Sequence, residues 1–195
     1  EAMSLKRRSV EAMQDFLSGI GVDIEKAGME KTPARVAEMF EYLFNGMNTD
    51  TAEIWGELFP SEADGIVVVK EIPFYSMCEH HLLPFFGRVS LAYLPKNGMV
   101  AGFSKFTKLV EVISHRPQLQ ERMTRQIAEA IADGLEAEGV LVIVEATQLC
   151  MCMRGDCAHD TRTMTSVGLG ALKEGTALGQ QAFSMIVDNR KELAR

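Results

Sequence analysis

The chain is poor in the residues that mark disulfide-rich, membrane-spanning or nucleic-acid-binding proteins. Its 195 residues include four Cys, four His and one Trp. Four cysteines in so long a chain, two of them spaced C-x-C at Cys150 and Cys152, do not suggest a disulfide framework. No apolar run approaches the ~20 residues that span a bilayer. The 27 acidic residues outnumber the 20 basic ones, which disfavours a general nucleic-acid surface. We therefore expect neither a membrane nor a nucleic-acid partner.

Two nucleotide-binding motifs are also missing. The sequence has neither G-x-x-x-x-G-K-[ST] nor G-x-G-x-x-G. A bound nucleotide would therefore need side chains and helix ends to hold its phosphates. The N-terminal stretch carries basic residues without an apolar signal core, so a cytoplasmic location is expected.

The order of hydrophobic patterns predicts an α+β fold. Hydrophobic residues make up 47% of the chain, ample for a core. Helical patterns come first, followed by the order β-β-α-α-β-β, which is typical of an antiparallel sheet backed by two long helices. We expect an N-terminal helical region at residues 1–62 and a second region at residues 63–195, together forming one compact unit.

The most informative stretch is PFYSMCEHHLLPFFG, residues 73–87. It holds Cys78, Glu79, His80 and His81 in consecutive positions. Thiolate and imidazole are the ligands that Zn²⁺ prefers. Because Cys78 and His81 have a C-x-x-H spacing, one metal ion could accept both from a single turn. His80 would then be free for acid–base work or would hydrogen-bond a ligand.

A third metal ligand is expected from residues 139–155, which read as one long strand. If the strand is regular, its period of two places four residues on one face: Gln148, Cys150, Cys152 and Arg154. A site with three protein ligands keeps a position for a water whose pKa falls toward ~7. The spacing does not choose between the two cysteines, and both could also be buried small hydrophobes.

Several residues could hold an anionic or guanine-containing ligand. Ser104 is expected to cap a helix that Lys105 opens, with Lys108 one turn later. Arg35 and Arg154 are further cations, and each of these residues could instead be an ordinary surface side chain. A second helix is expected to start at Pro117 and to carry Glu121. A carboxylate can accept from the N1–H and 2-amino edge of guanine, although a solvated helix face is the simpler interpretation.

Five motifs together resemble GTP cyclohydrolase I, the zinc-dependent type: TPARVAEMF, CEHHLLPFFGRVSLAYLP, GFSKFTKLVEVISHRPQLQERMTRQIAEAI, EATQLCMCMRG and TMTSVGLG. The similarity covers roughly residues 5–190. It implies a tunnelling fold (T-fold), a catalytic domain at residues 63–195, and a homodecamer with active sites at subunit interfaces. It also implies hydrolysis of GTP at C8 by zinc-bound water, formate release and ribose rearrangement to 7,8-dihydroneopterin triphosphate.

The resemblance carries roles onto individual residues. Cys78, His81 and Cys150 match the zinc ligands, His80 matches a catalytic histidine, and Glu121 matches the carboxylate that anchors guanine. The residues that fall where the triphosphate is bound are Ser104, Lys105, Lys108, Arg154 and Arg35.

The sequence departs from the family pattern near the expected site. The family has its second catalytic histidine two residues before the strand cysteine, and this chain has Gln148 there. An amide cannot carry a proton near neutral pH, and losing a general acid or base typically costs ~10²–10⁴ in rate. His159 and Cys157 are unexpected additions within DCAHD at 156–160, and Glu38 stands where some members have a lysine.

Three interpretations follow from these departures. His159 or Cys152 could take over the proton work, so that the full reaction survives. Alternatively, the imidazole ring opens but formate loss or ribose rearrangement fails. In the third, the protein is a diverged homologue that acts on another purine nucleotide or a non-catalytic purine-binding subunit.

Overall fold

The computed structural model describes residues 5–62, 65–154 and 160–187, in two compact units at residues 1–45 and 46–195. The first unit contains helices α1 (Leu5–Gly19) and α2 (Thr32–Leu43). An ion pair of 2.9 Å joins Lys6 to Glu38, so the carboxylate that departs from the family pattern has a partner within its own unit. Across the described ranges, no helix is both long and apolar enough to cross a membrane.

The second unit begins with a 3₁₀ turn, Thr51–Ile54, and alternates strands and helices. Its elements in chain order are β1 (Phe59–Pro60), β2 (Val67–Cys78), β3 (Pro84–Leu94), β4 (Met99–Val100), α3 (Phe103–Ser114), β5 (Pro117–Gln118), α4 (Gln120–Leu135), β6 (Gly139–Gln148), α5 (Leu149–Cys152), β7 (Thr163–Gly170) and α6 (Ala177–Val187).

A five-stranded sheet in the order β5-β2-β3-β6-β7 forms the centre of this unit. Strands β2, β3, β6 and β7 pair antiparallel, and β5 joins β2 in parallel. Helices α3 and α4 pack against the sheet. The predicted α+β class, an antiparallel sheet backed by two long helices, is confirmed.

Alternation along the strands divides the core between the two faces of the sheet. Val89, Leu91 and Tyr93 are fully buried in the larger cluster, together with residues of α3 and α4. On the other face, Leu141 and Ile143 belong to a smaller cluster with residues of α6. Because each fully buried large aliphatic side chain stabilises the fold by about 1.5–3 kcal/mol, these two layers fix the sheet between the helices.

The expectation of a continuous strand through residues 139–155 is wrong. Strand β6 ends at Gln148, and residues 149–152 turn into the short helix α5. The last pairing with β3 joins Gln148 to Phe85. Beyond Phe85, β3 offers only Pro84, which has no backbone N–H to extend the ladder. The strand-face argument for Cys150, Cys152 and Arg154 therefore fails, because these residues lie outside the strand.

Two expected helix starts also differ. Ser104 does not cap α3, since Gly102 is the N-cap residue and the helix begins at Phe103. Pro117 does not begin a helix but lies in β5, where it pairs with Met77. Helix α4 starts three residues later, so its first turn still contains Glu121.

We predict that Gly134→Ala destabilises the second unit, although alanine normally favours a helix by about 1 kcal/mol. A Cβ at this position of α4 would overlap the indole Nε1 of Trp55, which is 3% exposed. Overpacking of this kind typically costs about 1–3 kcal/mol. Urea unfolding followed by the fluorescence of this single tryptophan measures the loss. Gly19→Ala is the control, since a Cβ there meets nothing within 4 Å, and equal behaviour of the two variants would contradict the prediction.

Candidate active site

The Cys-Glu-His-His stretch forms a tight turn between β2 and β3. Cys78 ends β2 and is buried. Its N–H donates to the carbonyl of Leu83 at 2.9 Å, and its carbonyl accepts from the N–H of Leu82 at 2.8 Å. Leu82 has a φ of 51°, a left-handed conformation that closes the turn. The imidazoles of His80 and His81 are exposed at its tip, with ring centroids 6.4 Å apart and planes at 83°.

A second set of contacts fastens this turn to the start of α4. The Glu79 N–H donates to the carbonyl of Gln118 at 3.0 Å. The Glu79 carboxylate forms an ion pair with Arg122, whose Nε donates to Gln118 Oε1 at 3.2 Å. The guanidinium also donates to the Pro117 carbonyl at 3.3 Å. Arg122 therefore links the turn, β5 and α4, a role that sequence reasoning missed.

The two thiols chosen by the resemblance lie against each other. Burial raises the pKa of the Cys150 thiol, and the neighbouring Cys78 raises it further through charge and a side-chain hydrogen bond. Arg154 acts in the opposite direction on the same pKa, which locates this cation near the pair. Cys150 reaches Cys78 because α5 turns the chain directly after β6. Cys152 is also half-buried in α5.

The thiol pair fits a thiophilic metal ion, because two soft sulfur donors come from separate elements and meet at a half-buried position. Among the residues that the structure describes, however, no three Cys, His, Asp or Glu side chains lie close enough together to hold a metal ion. The two sulfur atoms therefore lie together, but His81 in the adjoining turn does not lie close enough to form a three-residue group with them.

Gln148 lies at the end of β6, two residues before Cys150, and is half-buried. Its amide Nε2 donates to Gln120 Oε1 at 2.7 Å. Gln120 is the first residue of α4 and is 4% exposed. Gln148, which occupies the position of the family's second catalytic histidine, is therefore hydrogen-bonded to the buried amide of Gln120. The sequence analysis did not single out Gln120. A signal was available, since Gln120 and Thr124 share one helix face with the apolar stripe.

The candidate phosphate and guanine ligands are spread over several elements. Ser104 is exposed and Lys105 half-buried in the first turn of α3. Lys108 is paired with Glu111 at 2.8 Å, and Glu121 is exposed in the first turn of α4. Arg35 belongs to α2 in the N-terminal unit.

One predicted site residue and one unexpected cysteine near it fall outside the described residues. His159, the possible substitute for the missing histidine, and Cys157 lie outside the described residues.

We predict that Arg122→Met loosens the turn and lowers the free energy of unfolding by about 1 kcal/mol, as expected for a partly exposed ion pair with additional hydrogen bonds. Its matched control is Arg125→Met on the same helix, where the ion pair to Glu129 is long at 3.8 Å and exposed. The control should stay within about 0.5 kcal/mol of the wild type in urea unfolding. An equal loss in both variants would mean that the contact with Glu79 is unimportant.

Comparisons with known proteins agree over almost the whole chain. The family model described as GTP cyclohydrolase I matches residues 9–187. A GTP cyclohydrolase 1 of Streptococcus suis (strain 05ZYH33) is 45% identical over 184 residues, covering 94% of this chain and 98% of that protein. A GTP cyclohydrolase 1 of Desulforamulus reducens is 46% identical over 176 residues, covering 90% and 94%. The chain belongs to the GTP cyclohydrolase I family.

Proposed function

We propose that this protein is a hydrolase that converts GTP and water to formate and 7,8-dihydroneopterin triphosphate. The reaction opens the imidazole ring at C8, releases C8 as formate and rearranges the ribose. The observation that carries the proposal is the contact between the Cys78 and Cys150 thiols, beside a turn that presents two histidines. The family membership of the chain supports the same reaction, and its relatives bear that enzyme's name.

Cys78, His81 and Cys150 would hold a Zn²⁺ ion, which when bound supplies Lewis-acid activation for the hydrolysis. The paired sulfurs support this assignment. His81 completes it from the exposed tip of the same turn. The ion pair between Glu79 and Arg122 fastens that turn to the start of α4.

His80 is proposed as the proton carrier of the site. It lies in the same turn as Cys78 and His81, but unlike them it is not proposed as a zinc ligand. An imidazole is the side chain suited to exchange protons near neutral pH. The residue is exposed at the turn, where a substrate can approach it.

The substrate would be held by side chains that approach from different elements. Glu121 would accept from the N1–H and 2-amino group of guanine. Ser104 and Lys105, in the first turn of α3, would meet the triphosphate where backbone N–H groups also point outward. Arg154 is already close to the thiol pair. The remaining cations proposed for the triphosphate are Lys108 and Arg35.

Self-association is proposed because, among the residues that the structure describes, the edges of the five-stranded sheet are largely unpaired. Strand β7 lies at one edge, and β5 covers β2 only at Met77 and Cys78 on the other. Such free edges favour strand pairing between subunits. The family resemblance implies a ring of ten identical subunits. In such a ring, several exposed site residues would lie at the boundaries between subunits. The sedimentation mass of the purified protein tests this assembly.

We predict that the zinc-loaded protein, incubated with GTP, releases formate and develops pterin fluorescence together. Cys78→Ser should lower zinc content and reduce turnover at least about 100-fold, because a hydroxyl replaces a thiolate ligand. Met77→Leu, a volume-conserving neighbour, should stay within about twofold of the wild type. Purine absorbance lost without fluorescence would mean that only the ring opens, and full activity of Cys78→Ser would contradict the zinc assignment.

We further predict that Gln148→His raises kcat about 10-fold or more, because an imidazole restores a proton carrier beside the thiol pair. Gln120 Oε1 can accept from an imidazole N–H as it does from the amide. Gln148→Met is the comparison that removes both hydrogen bonding and proton transfer, and it should lower kcat. Formate release and fluorescence are measured separately for each variant, and a histidine variant that is no faster than wild type would overturn this prediction.

A further inference from the structure

The environment of Gln148 fixes which end of its amide faces the protein. Gln120 Nε2 points toward the carbonyl oxygens of Val144 and Thr163, at 3.1 and 3.2 Å. Carbonyl oxygens can only accept hydrogen bonds, so the nitrogen of Gln120 must be on that side. Its Oε1 is then the atom that meets Gln148, and an oxygen without a hydrogen demands a donor. Gln148 must therefore turn its Nε2 inward.

Hydroxyl groups hold Gln120 in this orientation. Thr163 Oγ1 donates to Gln120 Oε1 at 2.6 Å, with Ala146 O more distant at 3.2 Å. Thr165 Oγ1 lies 3.2 Å from Gln120 Nε2, whose two hydrogens it shares with the two carbonyl oxygens, and 2.7 Å from Thr124 Oγ1. The Thr124 hydroxyl donates its own hydrogen to the backbone carbonyl of Gln120 at 2.7 Å. Thr165 is therefore the donor to Thr124, and every hydroxyl has a consistent direction.

The same geometry decides what Gln148 presents on its other side. Its Nε2 is bound to Gln120 at 2.7 Å. Within the described ranges, its Oε1 receives no hydrogen bond from the protein. The residue is half-buried, with its nitrogen committed to the buried network. Gln148 thus offers a carbonyl oxygen that accepts hydrogen bonds and does not change charge near neutral pH.

We propose that Gln148 serves the reaction as a fixed hydrogen-bond acceptor and that Gln120 is the positioning residue that sets its direction. This inference rests on the proposed function. Thr163 supports Gln120 from β7, so three elements, α4, β6 and β7, determine the position of one oxygen atom. Gln120 acts only through Gln148 and needs no contact with the substrate.

A double-mutant cycle tests the proposal. Gln120→Met and Gln148→Met should each lower kcat about 10-fold with KM changed little, because a misplaced group loses transition-state contacts. The double variant should be no slower than Gln148→Met alone, since Gln120 has nothing left to position. If the fold-decreases in kcat of the two single variants multiply in the double variant, Gln120 does not act through Gln148, and the proposal is overturned.

The control is a second pair of amides, Gln118 in β5 and Gln126 in α4. Gln118 Nε2 donates to Gln126 Oε1 at 2.9 Å, so Gln126→Met removes a comparable bond without touching Gln148. Its kcat should stay within about twofold of the wild type. If Gln120→Met does not fold, Thr163→Val and Thr163→Ser replace it. The serine should keep the donor and the activity, the valine should lose part of both, and equal activity in the two variants would contradict the positioning role.

Urea unfolding of the same four proteins separates this inference from the proposed function. A bond between Gln120 and Gln148 makes their effects on the unfolding midpoint non-additive, whatever the substrate. If the wild type does not turn over GTP, the reaction is wrong, while non-additive midpoints still support the fixed amide. Additive midpoints would show that the bond is absent in solution and would overturn the inference even in an active enzyme.

Discussion

The site depends on the point where the pairing of β3 with β6 stops. Phe85 opposite Gln148 is the last pair, and Pro84 cannot continue the ladder because it lacks a backbone N–H. The same proline follows the turn that carries Cys78, His80 and His81. Two chain segments therefore leave the sheet side by side. One becomes the Cys-Glu-His-His turn, and the other becomes α5 with Cys150. Two cysteines far apart in sequence meet because one ladder ends where both segments begin.

A buried polar network next to that point gives the site its rigidity. An unpaired amide in this position would cost about 1–3 kcal/mol, and Gln120 avoids this cost by using both ends of its side chain. Its partners come from β6 and β7, so the network also ties α4 to the edge of the sheet. Arg122, less than one turn later, ties the same helix to the Cys-Glu-His-His turn. The start of α4 is thus held against both halves of the site.

The sequence predicted this arrangement unevenly, for physical reasons. Local patterns were enough for the fold class and for the dense Cys-His turn, because periodicity and ligand chemistry both act over a few residues. The end of β6 could not be predicted from its own residues, since it depends on a proline in another strand. The strand pattern could not distinguish Cys150 from Cys152, and only the family resemblance selected Cys150; strand alternation does not apply within α5. Gln120 and Arg122 were missed because the partners that define their roles lie 24 to 45 residues away in sequence.

Under the proposed function, an amide at position 148, where the family pattern leads one to expect an imidazole, changes which residues can transfer protons in the site. Histidine can both position a reacting group and carry its proton. A glutamine whose Nε2 is hydrogen-bonded to Gln120 can position such a group but cannot carry a proton near neutral pH. Under the proposed function, proton transfer would then fall to other side chains, and His80 is the histidine of the turn to which that function gives no ligand role. The buried network makes this division permanent, since reversing the Gln148 amide would set its oxygen against Gln120 Oε1. Under the proposed function, a reaction with several proton transfers would therefore slow most at the steps in which a histidine at position 148 would have carried the proton.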